Sequence, residues 1–136
     1  MAMQLQVGVK CFLRNPHGQY LLLQRNKTAY PEIEDLWDIP GGRIVPGATL
    51  EANLQREIFE ETGLTLIATP HIVAAQDIMR NSETHVVRLT YVADIDGEPS
   101  LDGMEHTLYQ WVSYDGLPGF SGIDCYTREI IDQGLL

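Results

Sequence analysis

Residues 5–14, LQVGVKCFLR, alternate loosely between apolar and polar positions, the period of a half-buried strand. Asn15, Pro16, His17 and Gly18 supply turn chemistry, and QYLLLQR (19–25) is a second apolar run, so the two predict a β-hairpin. Residues 26–36 are polar around Pro31 and predict a loop. LWDIP (36–40) is a short extended piece, closed by Pro40 and the Gly41–Gly42 pair. Then the period changes. Leu50, Leu54 and Ile58 recur every four residues and predict the buried stripe of a helix over about 50–62. Thr49 suits its N-cap, Glu51 its first turn, and Gly63 a left-handed C-terminal cap. Beyond it, LTLIATPHIVAAQDIM (64–79), THVVRLTYVADI (84–95) and TLYQWVSY (107–114) predict strands. DCYTREIIDQGL predicts a last helix starting near Asp124. Strands, helix, strands, helix is the order of a mixed sheet with helices packed on it.

The 136 residues predict one domain over 1–136, and 44% hydrophobic with 21% charged residues is ordinary for a globular chain. Charge changes the picture more. Nineteen acids against nine bases leave a net charge of −10, which argues against non-specific binding to nucleic acid or to an anionic membrane. No apolar run approaches the roughly 20 residues of a membrane span, and the N-terminus carries no secretory pattern. The expected compartment is the cytoplasm, with Cys11 and Cys125 as two buried free thiols.

A phosphorylated small molecule is still compatible with this charge, provided cations offset the repulsion. Glu57, Glu60 and Glu61 fall at i, i+3 and i+4 and share one helix face. Such a trio is either a solvated acidic surface or a ligand set. The apolar stripe lies next to it around the helix, which puts the carboxylates at the edge of the core. Clustered, part-shielded oxygens there suit Mg²⁺, with Mn²⁺ as the alternative. Gly41 and Gly42 let backbone approach the same point.

The stretch GRIVPGATLEANLQREIFEETGL resembles the signature box of the Nudix hydrolases, the MutT-like family. Gly42, Arg56, Glu57, Ile58, Glu60, Glu61, Gly63 and Leu64 fit in register, eight of nine specified positions across 23 residues. LWDIPGG before the box resembles the family's entry strand. The departure is Ala48, where the family has a glutamate thought to contact the box arginine; its loss leaves Arg56 one partner short and gives Glu60 a larger share. The resemblance implies an α+β fold, a Nudix-type α/β/α sandwich with a mixed central sheet and helices on both faces.

It also implies roles. Glu57 and Glu61 bind metal, Glu60 adds a ligand directly or through water, the Gly41 carbonyl completes the inner shell, and Arg56 orients a carboxylate. The general base is Glu57 or Glu105. The latter stands six residues before Trp111, where MutT-like triphosphatases place an acid that reaches the metals; read alone, it is a loop acid. His106 reads as a polar loop residue. Arg25 is a terminal-phosphate contact or a solvated strand end, and Tyr30 a stacking residue for a base. Trp37 packs the entry strand. Asp124 and Tyr126 are nucleobase candidates, with helix capping the competing role for Asp124.

The reaction implied is Mg²⁺-dependent hydrolysis of a nucleoside diphosphate linked to a group X, foremost a (deoxy)nucleoside triphosphate cut to monophosphate and pyrophosphate. Nucleotide sugars and dinucleoside polyphosphates are the alternative substrates. The proline that marks ADP-ribose-selective members is absent, Met79 and Arg80 standing in its window. A rival class is a non-catalytic nucleotide-binding module, for which Ala48 is the support and the intact Arg56, Glu57, Glu60 and Glu61 the objection. The family includes homodimers, though no apolar stripe here demonstrates one.

Overall fold

The structure is a computed structural model that describes residues 2–136. Seven strands and two helices run in the order β1 (Gln4–Arg14), β2 (Gln19–Arg25), β3 (Trp37–Asp38), β4 (Gly41–Arg43), α1 (Leu50–Thr62), β5 (His71–Ile78), β6 (Thr84–Asp94), β7 (His106–Ser113) and α2 (Cys125–Asp132). The sheet path is β3-β2-β1-β6-β5, with β4 added on β1 and β7 on β2.

The predicted hairpin exists only at its base. β1 and β2 are antiparallel and register at Arg14 and Tyr20, but they then diverge. β1 runs parallel to β6 along its whole length and takes β4 on its other edge at Gly8, Val9 and Lys10. β2 instead pairs with β7 and β3. This divergence opens the fold between β1 and β2, where β3 and β4 bring the segment through Gly41 and Gly42 against the sheet.

Alternation along β1 and β2 separates two cores. Val9, Cys11, Leu13, Leu21 and Leu23 face Leu54 and Ile58 of α1. Phe12, Tyr20 and Leu22 face Ile130 and Ile131 of α2. Helices therefore cover both faces of a mixed sheet, the expected α+β sandwich. Leu54 and Ile58 are fully buried, worth about 2 kcal/mol each in area removed from water. Leu50, the first residue of the expected stripe, is 40% exposed and lies outside the buried stripe.

α1 spans the predicted residues. The Thr49 side chain accepts from the Ala52 amide, and Gly63 ends the helix at φ 72°. Elsewhere the boundaries move. The strand predicted from residue 64 begins only at His71, after Pro70; Leu64 is buried in the core and its amide bonds the Thr62 hydroxyl. β7 starts at His106 and stops at Ser113, whose side chain caps a 3₁₀ turn at Tyr114–Gly116. α2 ends at Asp132. Cys11 is buried as expected, whereas Cys125 is exposed on the first turn of α2. Among the described residues, no helix is long and apolar enough to cross a membrane.

Candidate active site

Two adjacent glycines bring backbone against α1. Gly41, at φ 144°, sits on Lys10, and a Cβ there would overlap the Val9 carbonyl. Its amide donates to Glu61 at 3.2 Å. A Cβ on Gly42 would lie 2.7 Å from the Glu57 carboxylate. Only a chain without side chains at both positions lets the backbone lie this close to the two acids.

The three acids of α1 divide. Glu61 is 6% exposed and Glu57 keeps 14% of its side-chain surface, while Glu60 keeps 57%. Glu57 and Glu61, four apart, point to the sheet; Glu60 lies on the rim. Arg56 joins Glu57 at 3.0 Å and Glu60 at 3.4 Å. It is not short of partners: its guanidinium also donates to Asn53 Oδ1 at 3.0 Å. Asn53 is buried and ties the box loop down, accepting from the Val45 amide and donating to the Thr49 and Ala48 carbonyls. One turn before Arg56, it gives the guanidinium a partner besides Glu57 and Glu60. Its position at i−3 from Arg56 is the signal for this contact in the sequence, absent from the expectations above.

Glu105 arrives from the opposite side. Asp102 accepts from the Met104 and Glu105 amides and shapes the turn, and the Asn26 amide bonds the Glu105 carbonyl. Glu61, Glu105 and His106 each place a ligand-capable atom within 4.8 Å of the others. His106 is therefore not a polar loop residue: it opens β7, is buried, and pairs across the strand with Arg25. Burial lowers its pKa against the pull of Asp38 and Glu105, which leaves a neutral ring with a free lone pair at pH 7.

Burial pushes the Glu61 carboxyl up to about 8; Lys10 and the Gly41 amide oppose this, and the charges of Asp38 and Glu105 add to it. A buried acid that stays protonated at neutral pH beside a second acid and a neutral imidazole is a site short of positive charge. Two carboxylates and an imidazole nitrogen fit a divalent cation.

Asp38 on β3 holds the cationic wall. Lys10 reaches its two oxygens at 3.0 and 3.2 Å, and Arg25 donates at 2.8 Å. Burial opposes ionisation of Asp38, but Lys10, Arg25 and Arg88 outweigh it and hold the carboxyl well below the usual range. Arg25 also stacks over the Tyr30 ring at 5.3 Å. A cleft of about 190 Å³ is lined by Lys10, Arg25, Arg43, Arg80 and Arg88 together with Gly41, Gly42 and Glu105. Five of the nine Lys and Arg residues of a chain at −10 thus converge on one cavity.

Beside a neighbouring depression that shares Arg25 and Arg80 with the cleft, Asp124 caps α2, accepting from the Tyr126 and Thr127 amides. It also pairs with buried Arg88 at 3.1 Å and accepts from the Thr127 hydroxyl. The capping role is realised. Tyr126 lies beneath the Arg80 guanidinium at 5.2 Å.

The family model of the NUDIX domain matches residues 4–129. A Bacillus subtilis (strain 168) protein named "Putative 8-oxo-dGTP diphosphatase" is 34% identical over 113 residues, covering 83% of this chain and 70% of its own length. The NAD-capped RNA hydrolase NudC of Haemophilus influenzae (strain PittGG) is 30% identical over 120 residues, and the chain spans 44% of that relative. Among solved structures, the MutT protein from Methanosarcina mazei Go1 superposes with a TM-score of 0.80 at 26% identity, over 98% of this chain and 94% of its own.

Proposed function

The chain belongs to the Nudix family as a MutT-like hydrolase of phosphoric anhydride bonds, and from that premise we propose a Mg²⁺-dependent nucleoside triphosphate pyrophosphohydrolase. It would release a nucleoside monophosphate and pyrophosphate. The observation that carries this reading is the convergence of five cations on the cavity that Glu105 also lines. A polyanion finds countercharge there that the rest of the surface denies it. Similarity to a protein named for 8-oxo-dGTP favours a triphosphate. Cleavage of a dinucleotide is a second reading, favoured by the NudC relative, of which the chain spans less than half.

In this reading Glu57, Glu61, Glu105 and the Gly41 carbonyl hold the cation, His106 adjoins them, and Glu60 contributes through water from the rim. The bound ion supplies charge neutralisation and an acidified water. The protein's own part is mostly positioning, as expected for phosphoryl transfer. Arg56 fixes the Glu57 carboxylate. Glu105 is better placed than Glu57 to take a proton, since Glu57 is already bonded to Arg56 and pressed against Gly42. Arg25 stands at the cleft for a terminal phosphate. Tyr30 and Tyr126 offer ring faces to a base once the arginines over them are drawn to phosphate. Asp124, whose oxygens already serve Arg88, Thr127 and the helix end, would shape that pocket more than read it. We place the activity in a single domain acting in the cytoplasm on a free nucleotide.

The test is a hydrolysis screen with Mg²⁺ across nucleoside triphosphates, nucleotide sugars and dinucleoside polyphosphates, with Glu57→Gln and Glu105→Gln in parallel. Pyrophosphate release from a triphosphate, reduced about 100-fold or more in the variants, is the expected result. Nucleotide binding without turnover on any substrate would instead point to a binding module.

A further inference from the structure

Asn26, the residue after β2, has all four of its polar groups engaged. Its amide donates to the Glu105 carbonyl at 2.9 Å, and its own carbonyl accepts from the Tyr30 amide at 3.0 Å. The side-chain Nδ2 donates to the Met104 carbonyl at 3.0 Å, and Oδ1 accepts from the Thr28 amide at 2.9 Å. Two of these bonds shape the loop that carries Tyr30, and two hold the turn that carries Glu105. Asn26 and Met104 are 78 positions apart, so this residue joins two segments that the chain itself does not. The residue type matters. Aspartate would make the same turn to Thr28, since a carboxylate oxygen accepts there equally well. It could not hold the Met104 carbonyl, because an ionised carboxylate has no donor.

Glu105 needs such a hold. It is exposed, so its carboxylate is only as well placed as the backbone beneath it. The segment that delivers it, between β6 and β7, is pinned earlier on. Glu98 accepts from Tyr109 and Trp111 at 3.0 Å each, and the Ser100 amide donates to the Thr62 carbonyl at the end of α1. Across residues 101–105 the Asp102 bonds stay within the turn. Among the described residues, Asn26 supplies the hydrogen bonds that tie this turn to the rest of the protein. Arg25, immediately before it, registers with His106 across the strands and stacks on Tyr30. Cation, ring and acid thus share one anchor.

We propose that Asn26 is a positioning residue for the hydrolysis, setting the Glu105 carboxylate at the reacting end of the cleft and the Tyr30 loop at its nucleoside end from a single point. This rests on the reading above in which Glu105 serves the reaction. Asn26 touches no substrate in this arrangement; it acts through Glu105. Its amide Nδ2 is the group that separates the two duties, because losing that donor frees the Glu105 turn and leaves the bonds to Thr28 and Tyr30 in place. A misplaced acid slows the chemical step, whereas an intact Tyr30 loop keeps substrate binding as it was.

The experiment compares wild type with Asn26→Asp, Asn26→Ala and Asn15→Asp under Mg²⁺ and a nucleoside triphosphate. Asn15 is the control: its Oδ1 accepts from the His17 and Gln19 amides and its Nδ2 donates to Gln19, the same kind of turn on the β1–β2 connection. Asn26→Asp should lower kcat about tenfold or more with KM within about twofold, and Asn15→Asp should change neither. Placed in Glu105→Gln, Asn26→Asp should cost nothing further, since the group it positions is gone. Amide hydrogen exchange on metal-free protein without nucleotide gives a second readout. Asn26→Asp should speed exchange at Met104 and Glu105 and spare Thr28 and Tyr30, whereas Asn26→Ala should speed Thr28 as well. A rise in KM at constant kcat, or a loss just as large in Glu105→Gln, would overturn the positioning role. If wild type cleaves no nucleotide, the proposed function fails, and unchanged exchange at Met104 and Glu105 in Asn26→Asp would sink the tie by itself. If wild type cleaves the triphosphate and both Asn26 variants match it, the positioning role alone fails.

Discussion

Gly41 and Gly42 are neighbours, yet alanine should harm them in different ways. At Gly41 a side chain meets backbone. The φ of 144° lies outside the regions open to L-residues, and the new Cβ would overlap the Val9 carbonyl and approach Lys10 Cα to 2.7 Å. A strained backbone of this kind costs about 1–3 kcal/mol by itself. Relief requires β4 to peel from β1, which also threatens the Gly41–Glu61 bond; we expect about 3–5 kcal/mol in all. At Gly42 the obstacle is the Glu57 carboxylate 2.7 Å away, the free end of a flexible side chain. Rotating it costs about 1 kcal/mol of rotamer strain, plus a part-exposed ion pair with Arg56 worth under about 1 kcal/mol. The carboxylate, however, moves by about an ångström, enough to cost about 100-fold in rate. Urea denaturation and triphosphate hydrolysis on the two variants separate the effects. Gly41→Ala should lose stability, and Gly42→Ala should stay folded and lose activity. Equal destabilisation, or a Gly42→Ala enzyme within about threefold of wild type, would refute the claim that this glycine makes room for Glu57.

Other consequences follow from the buried charges and the box loop. Asp38→Asn leaves Lys10 and Arg25 without a counter-ion in the interior and should cost about 3–5 kcal/mol in urea denaturation. Because the folded-state pKa of Asp38 is depressed, its stabilisation is present above about pH 4 and is lost as pH falls through that lower value. Glu61 has the opposite sign. With its pKa raised to about 8, chelator-treated protein should lose stability as pH rises from about 5 to about 8, on the order of 3 kcal/mol, and then level off; melting curves of Glu61→Gln should lack that slope. Asn53→Ala frees the Val45–Thr49 loop and should cost about 2 kcal/mol with a fall in activity. Ala48→Glu, by contrast, should alter kcat less than about threefold, since Arg56 already has Asn53.

Local order was legible in the chain itself. α1 lies at the predicted residues because its signals are local: the Thr49 cap, the left-handed Gly63 and the four-residue spacing of Leu54 and Ile58. The box motif likewise named Glu57, Glu61 and the glycine turn, since their spacing along one helix places them together in any fold that keeps the helix. What the sequence could not state is which distant residues face them. Lys10 and Asp38 are 28 positions apart, and Arg88 and Asp124 are 36 apart; they meet only because β1 leaves β2 to run beside β6. That strand exchange also turns His106 inward and gathers five scattered cations on one cavity. Helix periodicity is a property of neighbouring residues. Strand partnership depends on which long-range pairing buries the most apolar surface, so the shared helix face of Glu57 and Glu61 was legible beforehand and the cationic cleft was decided by the tertiary structure.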